Sequence, residues 1–205
     1  MKTYTIYLIR HGQTAENQTG KYIGSTDVPL SKEGIEAIKE YDKKYIYPGT
    51  PVIFSSPMLR SVQTCNIIYP ALKPVIIPDF RECSFGDWEN KSADELKGDP
   101  SFANWLADSQ NNTPPNGESG ADFIRRVCLS FEKVVNGLIR TGNTTCVIVT
   151  HGGVISTILS VYGLPHAKPY EWACDNGFGY AMRISPMLWM RDKVAEVFDK
   201  IPRMN

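Results

Sequence analysis

Two short stretches place a histidine where a strand should end. Arg10-His11-Gly12 follows the apolar run Tyr4 to Ile9, and Thr150-His151-Gly152 follows Thr145 to Val149, both rich in β-branched residues. A third apolar run, Pro51 to Ser55, ends in Ser56-Pro57, with Arg60 one turn further on. If the three strands are neighbours, two imidazoles and two guanidiniums meet in one small site. That set suits a phosphate ester. Guanidiniums bind the equatorial oxygens through paired hydrogen bonds. Neutral His11 can attack phosphorus in line, and His151 can stabilise the charge that gathers on those oxygens.

The leaving alkoxide also needs an acid. A carboxyl group serves when burial or a neighbouring phosphate raises its pKa. Glu82, Asp87 and Glu89, all within Asp79 to Asn90 (DFRECSFGDWEN), are the candidates, and residue type alone does not choose between them. Singly, every member has a plainer reading: a loop histidine, a surface arginine, a solvated acid. The joint occurrence carries the weight. His166, between Pro165 and Ala167, lacks such a setting and reads as a surface loop residue.

The elements that must position these groups alternate between strand and helix. Ser31 caps a helix with Ile35, Ile38, Tyr41 and Tyr45 on one face, closed by Pro48-Gly49. Ser56-Pro57 reads as the start of the next helix, which puts Arg60 in its first turn, at the positive end of the dipole. Val75 to Ile77, bounded by prolines, reads as an edge strand. Ser92-x-x-Glu95 is a capping box, and Phe102, Trp105 and Leu106 mark a further short helix.

Asp79 to Asn90 keeps neither period and reads as an ordered loop; Asp108 to Gly120 is polar and loop-like. Ser119-x-x-Asp122 opens the strongest amphipathic helix, with Phe123, Ile124, Val127, Phe131, Val134, Val135, Leu138 and Ile139 on one face and Gly142 at its end. A helix from Val154 to Tyr162 follows His151. Tyr180, Met182 and Ile184 alternate as a final strand, and the segment after Met187 has no legible type. The pattern predicts an α/β fold, a three-layer α/β/α sandwich with a mostly parallel central sheet and helices on both faces. Ligands of such sheets bind beyond the carboxyl ends of the strands. Trp88, Trp105 and Trp172 read as core rather than pocket.

The 205 residues suit one domain spanning 1–205, with about 79–120 as a cap or wall over the site. Lys+Arg and Asp+Glu are both 22, which argues against a broad basic face for nucleic acid or anionic membrane. No signal-peptide core or membrane-span run is seen. Cys65, Cys83, Cys128, Cys146 and Cys174 are odd in number and without a Cys-x-x-Cys pair, as expected of reduced thiols in a cytoplasmic protein. Oligomeric state is not legible.

Taken together, the motifs resemble the histidine phosphatase superfamily, in the branch that contains phosphoglycerate mutases. They run from Leu8-Ile9-Arg10-His11-Gly12-Gln13-Thr14 with Asn17, through Gly24 to Ser31 and Gly34, Ser55 to Arg60 with Gln63-Thr64, and Arg81-Glu82 with Phe85-Gly86-Asp87-Trp88-Glu89. Pro115 to Ser119 and Val149 to Gly153 complete them. The resemblance implies a phosphomonoesterase acting on a small phosphorylated metabolite, without metal or cofactor. His11 would be phosphorylated, Arg10, Arg60 and His151 would complete the phosphate pocket, and Glu82 would be proton donor and then base. Asn17, Ile23, Gly24 and Gly152 correspond to phosphate- or substrate-contacting positions.

Gln13 stands where the family usually has Glu, a supporting position whose change should leave activity intact. The pattern is most similar to the α-ribazole phosphatase group of cobalamin salvage and its broad-specificity relatives. The alternatives are a phosphoglycerate mutase, whose relatives carry an extra segment after the Glu82 region, and a catalytically weak phosphate-binding regulatory protein.

Overall fold

A computed structural model of the chain describes residues 2–109 and 111–204. The loop expected over Asp108 to Gly120 is therefore described except at Gln110, which lies outside those residues with Met1 and Asn205. In chain order the elements are β1 (Tyr4–Arg10), α1 (Ala15–Gln18), α2 (Lys32–Lys44), β2 (Tyr45–Ile46), β3 (Ile53–Ser55), α3 (Leu59–Ile68) and β4 (Val75–Ile76). Next come α4 (Ala93–Leu96), α5 (Pro100–Ala107), α6 (Gly120–Thr141), β5 (Thr145–Thr150), α7 (Gly152–Tyr162) and β6 (Gly163–Leu164). The last are β7 (Gly179–Ile184), α8 (Pro186–Asp192), β8 (Ala195–Ile201) and β9 (Arg203–Met204).

Seven of the described strands form one sheet in the order β4-β3-β5-β1-β7-β8-β6, with β7 antiparallel to both β1 and β8. The remaining pairings are parallel. Burial on both faces explains why the central strands read as unbroken apolar runs. In β1, Ile6 and Leu8 join a core with Phe131 of α6 and Ile155 of α7. Ile9 points the other way, into a second core with Ile38 of α2 and Cys65 of α3. β5 divides likewise, Cys146 and Ile148 to the first core and Val147 and Val149 to the second. This is the three-layer α/β/α sandwich that the pattern predicts.

Register then does the work that matters for the site. Arg10 pairs with Thr150 and Ser55 with Val149, so three strands end level with one another. His11 N–H donates to the Thr150 carbonyl at 2.8 Å and Ser56 N–H to the Val149 carbonyl at 3.0 Å. The two His-Gly turns and the Ser56 turn are side by side because the strands feeding them are hydrogen-bonded neighbours.

Four local expectations change. α2 stops at Lys44 rather than near Pro48, because Tyr45–Ile46 pairs as a short strand with Arg203–Met204. α3 begins at Leu59, with Met58 and not Ser56 at its N-cap. The Ser56 hydroxyl still accepts from Met58 N–H at 3.3 Å, but it is shared with His151. The Tyr180 strand is not the last: α8, β8 and β9 follow in the segment without a legible type. The loop over Asp79 to Asn90 contains two single 3₁₀ turns, Pro78–Phe80 and Gly86–Trp88.

Trp88 and Trp172 are buried, and Trp105 packs against a small separate core of Trp88, Leu96 and Phe102. The five cysteines are free thiols, and His166 is exposed. Among the described residues no helix is long and apolar enough to cross a membrane.

Candidate active site

At the level ends of β1, β5 and β3 the His11 and His151 rings meet edge to face, centroids 5.1 Å apart. Both are almost fully buried. His11 Nδ1 lies 2.7 Å from the Gly12 carbonyl oxygen, which can only accept. Nδ1 is therefore the protonated nitrogen, and Nε2 keeps its lone pair. Burial, and after it the Arg60 guanidinium, pushes the His11 pKa down to about 3, so the ring is a neutral nucleophile at ordinary pH. His151 is held well below its usual value, again by burial first and then by His11 and Arg60. Its Nε2 is 2.7 Å from the Ser56 hydroxyl, while Nδ1 is buried with no protein partner.

The arginines arrive from different elements. Arg10 ends β1 and donates through Nη1 to the Cys174 carbonyl at 2.7 Å, and its Nε is buried without a protein partner. Arg60 is buried in the first turn of α3; Nη1 donates to the Thr26 carbonyl at 2.9 Å and Nη2 to that of Gly24 at 2.8 Å. Unpartnered buried donors are uncommon. Here Arg10 Nε and His151 Nδ1 belong to the same site, where a phosphate oxygen would satisfy them.

The three candidate acids separate in space. Glu82 reaches the site: Oε2 accepts from Gly153 N–H at 2.9 Å, in the first turn of α7, and Oε1 from Cys83 N–H at 3.0 Å. A Cβ at position 153 would overlap this carboxylate, so glycine there is what admits it. Burial raises the Glu82 pKa against the opposing pull of those two N–H groups and Arg60.

Glu89 turns instead to the loop that Arg60 holds, accepting from the N–H groups of Gly24, Ser25 and Thr26 and from Thr26 Oγ1 at 2.6 Å. Burial works to raise its pKa, but these bonds and that from Phe85 N–H outweigh it and hold it low. Asp87 is exposed and accepts from Asn116 Nδ2 at 3.0 Å.

A cavity of about 340 Å³ opens over Arg10, His11 and Glu82, and Asn17, Ile23 and Gly152 also line it. Asn17 Oδ1 accepts from Thr14 N–H at 3.1 Å, which leaves its amide NH2 unused by the turn. Gly24 is not among the lining residues: its N–H serves Glu89 and its carbonyl serves Arg60. Gln13 lines a different hollow, with Tyr41 and Asp175. The outer wall is aromatic, built of Tyr22 and Phe85.

Two residues that support these groups received no role from the sequence. Asn176 Nδ2 donates to the His11 carbonyl at 2.9 Å, and Thr64 Oγ1 accepts from Gly12 N–H at 2.9 Å. Thr64 carried a signal, since it stands one turn after Arg60; Asn176 carried none.

A mostly parallel sheet whose strand ends gather imidazoles, guanidiniums and a half-buried carboxyl group suits a class, the α/β proteins that handle phosphate esters. Residues 6–192 match the model of the histidine phosphatase superfamily (branch 1). The chain belongs to that superfamily. It is similar to the adenosylcobalamin/α-ribazole phosphatase of Salmonella typhimurium, at 29% identity over 87% of this chain and 90% of that protein. It is also similar to the 2,3-bisphosphoglycerate-dependent phosphoglycerate mutase of Bifidobacterium longum, at 29% identity over 86% and 88%. Among solved structures, the α-ribazole phosphatase from Shigella flexneri superposes with a TM-score of 0.82 at 26% identity, covering 98% of each chain.

Proposed function

We propose that the protein is a phosphomonoesterase that cleaves a small phosphorylated metabolite through a phosphohistidine on His11. The observation that carries this reading is the orientation of His11, whose Nδ1 is committed to the Gly12 carbonyl at 2.7 Å while Nε2 stays free. In the first step Nε2 attacks phosphorus and the bond to the ester oxygen breaks. Arg10, Arg60 and His151 Nδ1–H hold the non-bridging oxygens, and Glu82 gives its proton to the departing alkoxide. In the second step the Glu82 carboxylate takes a proton from water, whose oxygen displaces His11 from phosphorus and releases inorganic phosphate. Each developing charge meets a side chain, so the scheme has no metal step.

Residues about 79–120 act in this scheme as a wall that brings the acid and Phe85 to the substrate, beside Tyr22 from the loop after α1. The likeness to α-ribazole phosphatases supports α-ribazole 5′-phosphate as the first substrate to try. The free thiols suit a reducing cytoplasm as the place of the reaction.

The test is rapid mixing with a 32P-labelled phosphomonoester in EDTA, quenched with acid or alkali. An acid-labile, alkali-stable label on His11 is the expected result, and a stable label on serine or cysteine overturns the mechanism. A metabolite panel that includes α-ribazole 5′-phosphate then sets the substrate. Exchange between 3- and 2-phosphoglycerate faster than phosphate release would make the protein a mutase instead.

A further inference from the structure

We propose that Arg126, with Glu118 as its counter-ion, is the positioning residue for Glu82; the proposal rests on the reading of Glu82 as general acid. Arg126 stands in the second turn of α6 and touches none of the reacting groups. Its side chain and that of Glu118 are 11% and 14% exposed. A guanidinium has five N–H donors, and all five have partners. Nε donates to Glu118 Oε1 at 2.6 Å and Nη2 to Glu118 Oε2 at 2.8 Å, a planar fork on one carboxylate. Nη1 donates to the carbonyls of Asp79 at 2.6 Å and Arg81 at 2.8 Å, and Nη2 to that of Glu82 itself at 3.0 Å.

The segment that carries Glu82 has no strand to pair with. One 3₁₀ turn ends at Phe80, and the chain then runs extended through Arg81. Its backbone carbonyls must find partners elsewhere, and Arg126 supplies them on both sides of the acid. Glu118 is fixed in turn by its own N–H, which donates to the Ser84 carbonyl at 2.9 Å. The backbone at Glu82 is thereby tied to the longest helix, while its carboxylate is aimed by Gly153 and Cys83. A lysine has three donors and no fork, so it cannot reproduce this hold.

A buried ion pair with only a structural role would depress all activity alike, so the test uses leaving groups and a double-mutant cycle. Arg126→Lys is expected to lower the first-turnover cleavage rate of an alkyl phosphate on the order of 10- to 100-fold, the scale of a misplaced catalytic group. The first-turnover burst of p-nitrophenol from p-nitrophenyl phosphate, a leaving group that needs no proton, should slow only a few-fold by the same reasoning, while hydrolysis of the phosphohistidine, which uses Glu82 as base, slows alike for both substrates. KM and inhibition by vanadate should not move, because the phosphate pocket is untouched. In a Glu82→Gln background Arg126→Lys should change alkyl phosphate turnover by no more than about twofold, since both changes act through one group.

The same fractional loss in both backgrounds, or for both leaving groups in the first turnover, overturns the proposal. Glu82→Gln that by itself slows first-turnover cleavage of both leaving groups equally removes the acid role and this proposal with it, which is a different outcome from an additive cycle. Glu118→Gln keeps the shape and removes the counter-charge. It should give the same leaving-group pattern, and it serves if Arg126→Lys does not fold as judged by its thermal midpoint.

Discussion

The phosphate-binding half of the site and its acid half are held by different means. His11 and His151 follow hydrogen-bonded neighbouring strands, and their rings are fixed by the register of Arg10 with Thr150. Glu82 follows no strand; its place depends on three donors of one arginine and on a glycine two residues after His151. Glu89 gives the neighbouring loop the same kind of hold, through a carboxylate that accepts backbone N–H groups from residues 24 to 26. A ladder of backbone bonds survives most side-chain changes, whereas a clamp made by one side chain fails when that side chain changes. The phosphate half should therefore tolerate changes around it, and the acid half should be fragile but selective in how it fails.

His11→Ala is expected to have the largest effect. It should lower turnover by about 10⁴-fold or more for good and poor leaving groups alike, the scale seen when a nucleophile is removed, while thermal unfolding shows the fold retained. Loss confined to alkyl phosphates would reverse the assignment of the two halves. Gly153→Ala comes next. Its Cβ meets the Glu82 carboxylate and displaces it, so alkyl phosphate turnover should fall about tenfold, a shift of roughly 1.4 kcal/mol in the barrier. The first-turnover burst of p-nitrophenol from p-nitrophenyl phosphate should barely move, because that step needs no acid. Equal loss on both substrates would mean that Gly153 matters to phosphate binding and not to the acid.

The last effect is on stability and concerns the phosphate half alone. His11 takes up a proton near pH 6.5 when unfolded but only at about 3 when folded. Below about pH 6.5 the unfolded chain therefore binds a proton that the folded one refuses. Relative to His11→Gln, the wild-type protein should lose about 1.4 kcal/mol of stability per pH unit as pH falls through that window. Urea unfolding between pH 7 and 5 measures the difference. Parallel curves for the two proteins would show that His11 is not buried as a neutral ring.

The same contrast explains what could be read in advance. Strand ends are visible in a sequence because β-branched runs stop at glycine and polar residues, so Arg10, His11 and His151 could be placed in one neighbourhood from local pattern. The helix-start pattern set Arg60 in a first turn, although the true start lies two residues beyond the one expected. The choice among Glu82, Asp87 and Glu89 was not open to local pattern. All three lie in one irregular stretch, and the fold sends one to the site, one to a loop and one to solvent. Motif resemblance singled out Glu82, but the contacts that separate the three are tertiary.

Arg126 was the least legible of all. It lies between Ile124 and Val127 on an amphipathic helix, where an arginine ordinarily faces water, and nothing near it in sequence marks the carbonyls it holds. The closing segment was obscure for a related reason: β8 is a half-buried strand beside β7 whose side chains follow no clean alternation, with a register shift at Ala181/Met182.

By itself the sequence determined the alternation of strands and helices, the two-sided burial of the sheet and the residue types gathered at its strand ends, because each follows from periodicity and short-range punctuation. Tertiary structure decided which carboxylate faces the histidines and what holds the acid in place. Those outcomes depend on hydrogen bonds between residues up to 71 positions apart, as between Glu82 and Gly153, and such bonds leave no periodic trace along the chain.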